Sequence, residues 1–462
     1  MAENRERPSS KLSIATWAHL LHSKFVACGL LLLLLDGMIL FVPATAAQDQ
    51  VPGWQVVPTS GAFFQRFLSP TVYDPTHARF LFFGGADGGQ TIYGSTFAFY
   101  PSNNTFVSMN PTVHPSPRYA PALSFDAACG CAVLFGGAYK QNGIETVYND
   151  TWLYFSSNDS WTEVLTGVAP SARHLTAIVY SPSAKTNFLF GGTDNLSYND
   201  LWSFNTSRLA WNLLENYTLA PNLTDQPLNR FAFGMAPADG ANSFLVFGGA
   251  SINFQVPISQ IRRVEEVNDT WVYSYSQEKW SNLTSGTHPS GRTFPAMASA
   301  TGYGLTLLFG GSAEWDPFSY PLFYLSDTWV FNQNTGAWYQ LTVTGPPPMF
   351  GASLGYDPIS KSFLLFGGES ENDISSTVWR LNVSTILSLI GNMATTTATS
   401  TATTTLTVPT TMTGPTSTTT TTSTVTKTNS VVPTWAYGIM AVLLIAGLAV
   451  GYVVRRPSLP KP

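Results

Sequence analysis

Asn268-Asp269-Thr270-Trp271 is one of several near-copies of a single string. It recurs as Asn149-Asp150-Thr151-Trp152, as Asn199-Asp200-Leu201-Trp202 and, more loosely, as Ser326-Asp327-Thr328-Trp329. Upstream of each copy an apolar run ends in Phe-Gly-Gly, and downstream a second Trp follows. Counting outward, Phe-Gly-Gly occurs six times, starting at Phe83, Phe135, Phe190, Phe247, Phe309 and Phe366. Seventeen residues before these stand Arg66, Arg118, Arg173, Arg230, Arg292 and, in the last copy, Met349. The two aromatics of the lower motif are nine apart in five units, from Phe97 and Phe106 to Trp329 and Trp338. Offsets this constant define one internal repeat.

Each unit reads as four short strands. Runs such as Phe244-Leu245-Val246-Phe247 are apolar on both faces, the pattern of a buried strand. The glycine pair ends that strand where the backbone needs a positive φ or a close approach. Four-stranded units that cannot bury both faces alone stack around an axis as propeller blades.

The double glycine after an apolar strand, with spaced aromatics downstream, resembles the kelch repeat over residues 51–383. The resemblance implies an all-β, six-bladed kelch β-propeller, related in fold to galactose-oxidase-like propellers. The last unit departs from the pattern, because Ser388 falls where its second aromatic is due. In most units that aromatic lies twelve residues before the next Arg, and counting back twelve from Arg66 gives Trp54. Trp54-Gln55-Val56-Val57 is therefore expected to supply the outer strand of the sixth blade. Closure of this kind removes the open edges of the ring.

Strand order puts the first-to-second and third-to-fourth turns on one face, where the fixed offsets make them constant. Length variation falls on the other face, where binding loops are expected on a rigid scaffold. Three insertions there cover residues 213–229, 250–267 and 312–325. Trp315, Phe318, Tyr320, Phe323 and Tyr324, with Arg262 and Arg263, are the candidate ligand-binding residues. Such aromatics suit stacking on a sugar or anchoring a protein. The alternative is that they pack on one another and cap the blades.

No catalytic constellation, metal site or cofactor motif is identified. Arg66, Arg118, Arg173, Arg230 and Arg292 would form a channel-mouth ring. Four of these five units also carry the motif Asp, so structural Arg–Asp pairs fit better than an anion site. Gly351-Ala352-Ser353-Leu354-Gly355 spells a nucleophile elbow, but the elbow needs a strand-to-helix turn and this stretch falls on a first strand. His114 and His288 occupy equivalent turns, and His77 and His174 lack metal-ligand spacing. Copper radical oxidases on kelch rings have more blades and need a Cys–Tyr crosslink. A sialic-acid epimerase on a six-bladed ring is the closer enzymatic alternative, by fold analogy alone. Cys129 and Cys131 form either a strained ring disulfide or two free thiols.

Charged residues make up 11% of the 462, the net charge is −5, and no basic stripe lies outside the termini, so nucleic acid is not an expected partner. Residues 1–47 read as a signal peptide, with basic residues, an apolar run and a small-residue cleavage site. Propeller residues 48–391 are followed by a Thr/Ser/Pro-rich stalk, 392–432, which is too polar to fold alone. Residues 433–455 are long and apolar enough for a transmembrane helix, and 456–462 would be a cytoplasmic tail. Ten N-glycosylation sequons occur, of which Asn149 and Asn268 lie inside the motif and are expected to be too crowded for modification. Together these features predict a monomeric, single-pass protein of the cell membrane. Its extracellular propeller would bind a glycan or protein. A sugar-active enzyme, epimerase-like or oxidase-like, and a structural surface-layer component are the alternatives.

Overall fold

The computed structural model describes residues 53–397, apart from positions 63, 89–90, 195, 217–224, 239–241, 252–264, 315–322 and 372, together with 401–405 and 422–426. Six sheets, each with four antiparallel strands, form the body, one for each repeat unit. In the second blade the strands are Ala122–Asp126, Cys131–Phe135, Thr151–Phe155 and Ser160–Val164, running from the axis outward. The Phe-Gly-Gly run is the second strand, and Cys131–Phe135 is buried along its whole length. Layers on both sides explain why it is apolar on both faces.

The ring closes as the counting argument requires. Gln55–Val57 pairs antiparallel with Val378–Asn382, with Gln55 opposite Arg380 and Val57 opposite Val378. The sixth sheet is thus built from both ends of the propeller. A further short strand, Ser60–Gly61, runs parallel to the outer strand of the first blade.

Six apolar clusters fill the six seams between blades. Leu81, Phe83, Leu134 and Trp152 join the first blade to the second. Val57, Phe80, Phe99, Phe106 and Phe366 join the sixth to the first. Two hydrogen-bond circles add to this packing. The second glycine of each pair donates its N–H to the carbonyl at the Arg position of the next blade, from Gly85 to Arg118 (2.9 Å) round to Gly368 to Arg66 (2.9 Å). This approach is why the first glycine has no side chain: a Cβ on Gly136 would lie 2.4 Å from the Arg173 carbonyl oxygen. Nearer the axis, Leu68, Ala120, Leu175, Ala232, Phe294 and Gly351 each donate one N–H to the carbonyl of the residue before it in this series, with Leu68 donating to Gly351 to close the circle, at 2.7–3.3 Å. All six have positive φ.

One helix, Val383–Thr397, is present among the described residues and packs Val383 and Ile386 against the seam of blades five and six. This corrects the expected place at the cell membrane. Fifteen residues span ~22 Å, less than a hydrocarbon core of about 30 Å. No helix among the described residues is long and apolar enough to cross a membrane. The expected signal peptide and span, residues 1–47 and 433–455, lie outside the described residues. The helix runs into the Thr-rich segment, where Thr401–Thr405 pairs with Thr422–Thr426 as two antiparallel strands and β-branched Thr favours extended backbone.

Trp54 is buried, and its replacement should open the ring. Trp54→Ala is expected to cost about 3–5 kcal/mol in urea unfolding. Deletion of residues 51–57 should lower the melting temperature further, whereas an unchanged melt would contradict closure by this strand.

Candidate functional site

The motif residues meet at a node repeated in blades two to five. Arg118 Nη1 donates to the Gly136 carbonyl (2.9 Å), and Nη1 and Nη2 donate to the two carboxylate oxygens of Asp150 (2.5 and 2.9 Å). The same Asp accepts the indole N–H of its own motif, Trp152 Nε1 to Asp150 Oδ2, at 2.8 Å. Arg173 with Asp200, Arg230 with Asp269 and Arg292 with Asp327 repeat the arrangement at 2.6–2.7 Å. The guanidinium groups are buried, at 0–1% exposure. Their donors are committed to protein acceptors, so these four do not present a free positive ring to an anion.

Burial alone would raise the carboxyls of Asp269 and Asp327. The guanidinium and the indole N–H outweigh it and hold both below the ordinary 3.8. Stability from these pairs is therefore present above about pH 3.8 and lost as pH falls through the lower folded values.

The exceptions follow from the sequence. Blade one has Ser95 in place of the Asp. Arg66 donates there (2.9 Å) and to Gly84 (2.9 Å), its guanidinium lying 3.8 Å from the Tyr93 ring centre. Without a paired carboxylate, burial pushes Arg66 down to about 10. Blade six has Met349 and Thr377 in the two positions, and its Trp379 indole N–H is buried without a partner.

The motif Thr serves the neighbouring blade. It accepts the indole N–H of the next blade's second Trp: Trp161 to Thr96, Trp211 to Thr151 and Trp338 to Thr270 at 2.9 Å, and Trp54 to Thr328 at 3.0 Å. Blade three reads Asn-Asp-Leu-Trp, so Trp280 turns to Glu215 instead, at 2.7 Å. Phe106 has no N–H to donate and is stacked by Phe64 at 5.2 Å.

A family model described as the KLHDC2/KLHL20/DRC7 Kelch-repeats domain matches residues 48–223. Residues 48–223 thus match a kelch-repeat family model, and the same unit recurs through the six blades of the propeller. A stretch of the flagellar outer-arm dynein alpha chain of Chlamydomonas reinhardtii is 28% identical over 194 residues, 39% of this chain and 4% of that protein. The chain thus matches a small part of that relative. Kelch propellers are commonly protein-binding modules and typically not enzymes.

On the variable face of the propeller, Phe323 is 58% exposed and pairs with Ala313 at the end of a long hairpin. Tyr324 packs its ring 5.6 Å from Phe350. Trp315, Phe318, Tyr320, Arg262 and Arg263 lie outside the described residues. The sequence reading passed over blade two, where Ala138–Gln141 and Ile144–Val147 form a hairpin that leaves Ile144 72% exposed. Leu165 and Val168 in the following loop are also exposed. A signal for this was available: Phe135 to Trp152 spans seventeen residues, against twelve from Phe190 to Trp202 in the next unit. Near this hairpin Tyr119 donates to Glu145 and packs edge-on to His174, 5.7 Å between ring centres. His174 is buried, which lowers its imidazole below the ordinary value.

The remaining candidates have local explanations. Ser353 sits in the inner strand Ser353–Asp357 and hydrogen-bonds the Ser69 carbonyl. His114 and His288 contact the carbonyls of Pro115 and Pro289 at 2.9 and 3.0 Å, as equivalent repeat positions should. Among the described residues no group of three or more His, Cys, Asp and Glu could hold a metal ion. Cys129 and Cys131 are joined as a disulfide in a turn on the constant face. Asn149 and Asn268, expected to be crowded, are both exposed.

Blade six supplies a control for the node. Asp269→Thr leaves Arg230 buried without its carboxylate and is expected to cost about 3 kcal/mol. Arg230→Met with Asp269→Thr copies blade six and should cost less than Asp269→Thr alone in chemical denaturation. A double variant less stable than both singles combined would contradict a structural role.

Proposed function

We propose that this propeller is a protein-binding module that engages its partner through the variable face, with the sector over blades two and three as the centre of contact. The observation that supports this reading most is the set of exposed apolar side chains on a braced scaffold. Ile144, Leu165, Val168 and Leu196 are 72%, 90%, 63% and 42% exposed, and all belong to loops of that face. Exposed apolar groups clustered on one face mark interaction surfaces more often than isolated ones do. The Phe323 hairpin extends the same face in blade five.

No proton-transfer or nucleophilic step is assigned to this face, and binding carries the proposal. The glycan reading rests on Trp315, Phe318 and Tyr320, whereas the protein reading rests on side chains seen here.

A photo-crosslinking amino acid placed at Ile144 or Phe323 in the full chain should capture one defined protein in native cells. The same label at Ile359, on the opposite face, should not. Ile144→Glu with Leu165→Glu should abolish that capture without changing the melt. Crosslinks from Ile359 alone, or saturable binding of purified glycans that survives both Glu substitutions, would contradict the proposal.

A further inference from the structure

The channel widens toward the constant face into a cavity of about 510 Å³. Two tiers of inner-strand residues line it. The upper tier is Thr71, Leu123, Ile178, Met235, Met297 and Leu354, all five residues after the Arg position. The lower tier, two residues further on, is Tyr73, Phe125, Tyr180, Pro237, Ser299 and Tyr356. Six blades contribute one residue each, yet the lower tier is not symmetric. Blades six, one, two and three supply a continuous crescent of aromatic rings, and blades four and five leave the opposite side to Pro237 and Ser299.

The crescent is held from outside the channel. Tyr73 hydrogen-bonds Asp357 of the neighbouring blade, and burial together with that carboxylate pushes its phenol up to about 12. Tyr180 engages Asp126 of the neighbouring blade in the same way. The hydroxyls are spent on blade-to-blade ties, Tyr73 and Tyr356 also pack on Phe80 and Phe363 (5.2 and 5.4 Å between ring centres), and the half-buried Tyr73, Phe125 and Tyr180 keep part of their surface on the cavity. The smaller polar groups are also committed: Ser124 Oγ donates to Asn187 Oδ1 at 2.7 Å, and Ser299 Oγ lies 2.8 Å from Thr306 Oγ1. None of the described residues that line the cavity is charged. At the other end, the channel is rimmed by the circle of six backbone hydrogen bonds.

We propose that this cavity is a second binding site, separate from the variable face, for a small uncharged aromatic molecule that stacks on the crescent. The volume falls in the range of small-molecule pockets, about 300–1,000 Å³. Aromatic faces favour offset or edge-on contact with a flat apolar ring, and Met235 and Met297 are adaptable thioethers that mould to such a ligand. A charged ligand would lose its hydration without gaining a partner. Of the inner-strand columns this one was open to sequence reading, since the residue seven beyond each Arg position is Tyr, Phe, Tyr or Tyr in four units.

The test uses N-phenyl-1-naphthylamine, a neutral fluorophore that brightens in apolar surroundings, titrated into the purified full chain. One saturable site per chain is expected. Tyr180→Ala should weaken it at least ten-fold, Tyr180→Phe should leave it within two-fold, and Met235→Trp should abolish it by filling the cavity. Melting curves identify any variant that fails to fold, and the Phe variant separates ring contact from the Asp126 tie. No saturable binding, or equal binding by the Met235→Trp protein when folded, would overturn the proposal.

Discussion

The interaction on which four of the six blades depend is the buried guanidinium of the repeat Arg, held by one carboxylate. A bare guanidinium in this position would be costly to bury, and the Asp two residues before the motif Trp offsets that cost with two parallel hydrogen bonds. The pair then fixes more than itself. The Arg reaches the glycine pair of its own blade, its carbonyl receives the glycine N–H of the preceding blade, and the Asp orients the motif indole. Strand end, loop start and blade seam are thereby set by one node.

Blades one and six show which part of the node is dispensable. Met349 has no guanidinium, yet its carbonyl still receives the Gly311 N–H at 2.9 Å. The backbone circle therefore persists when the ion pair is absent, and apolar packing substitutes for it. Blade one keeps the Arg without the Asp and places a tyrosine ring and a serine hydroxyl around it. These are also the blades joined by the seam that holds the chain's closing strand. There Phe64, Phe80, Phe82, Phe99 and Phe106 replace polar ties with aromatic packing.

Much of this was legible in the residues because a repeat turns spacing into geometry. The position of Trp54, twelve residues before Arg66, was enough to assign it to a blade whose other strands lie about 300 residues away or further. The Arg–Asp pairing could be read from co-occurrence within units. What spacing could not show was the partner of the motif Thr, because that contact crosses to the next blade and depends on sheet twist. Nor could it show exposure. The aromatic insertion in blade five drew attention by composition, while the blade-two hairpin, poorer in aromatics, leaves apolar groups in solvent. The apolar ends of the chain, which read as membrane segments by composition, lie outside the described residues, and the helix that follows the propeller docks on it through Val383 and Ile386.

If the motif is spent on construction, function lies in the faces that the blades present and not in the motif itself. The direct measurement is a double-mutant cycle on Thr151 and Trp211, joined by the indole hydrogen bond between blades two and three (2.9 Å). Thr151→Val removes the acceptor at nearly constant shape, Trp211→Phe removes the donor, and the cycle subtracts the packing that the smaller ring loses. A coupling of about 1 kcal/mol in equilibrium unfolding is expected. Strict additivity of the two substitutions would contradict the motif's role as the tie between blades.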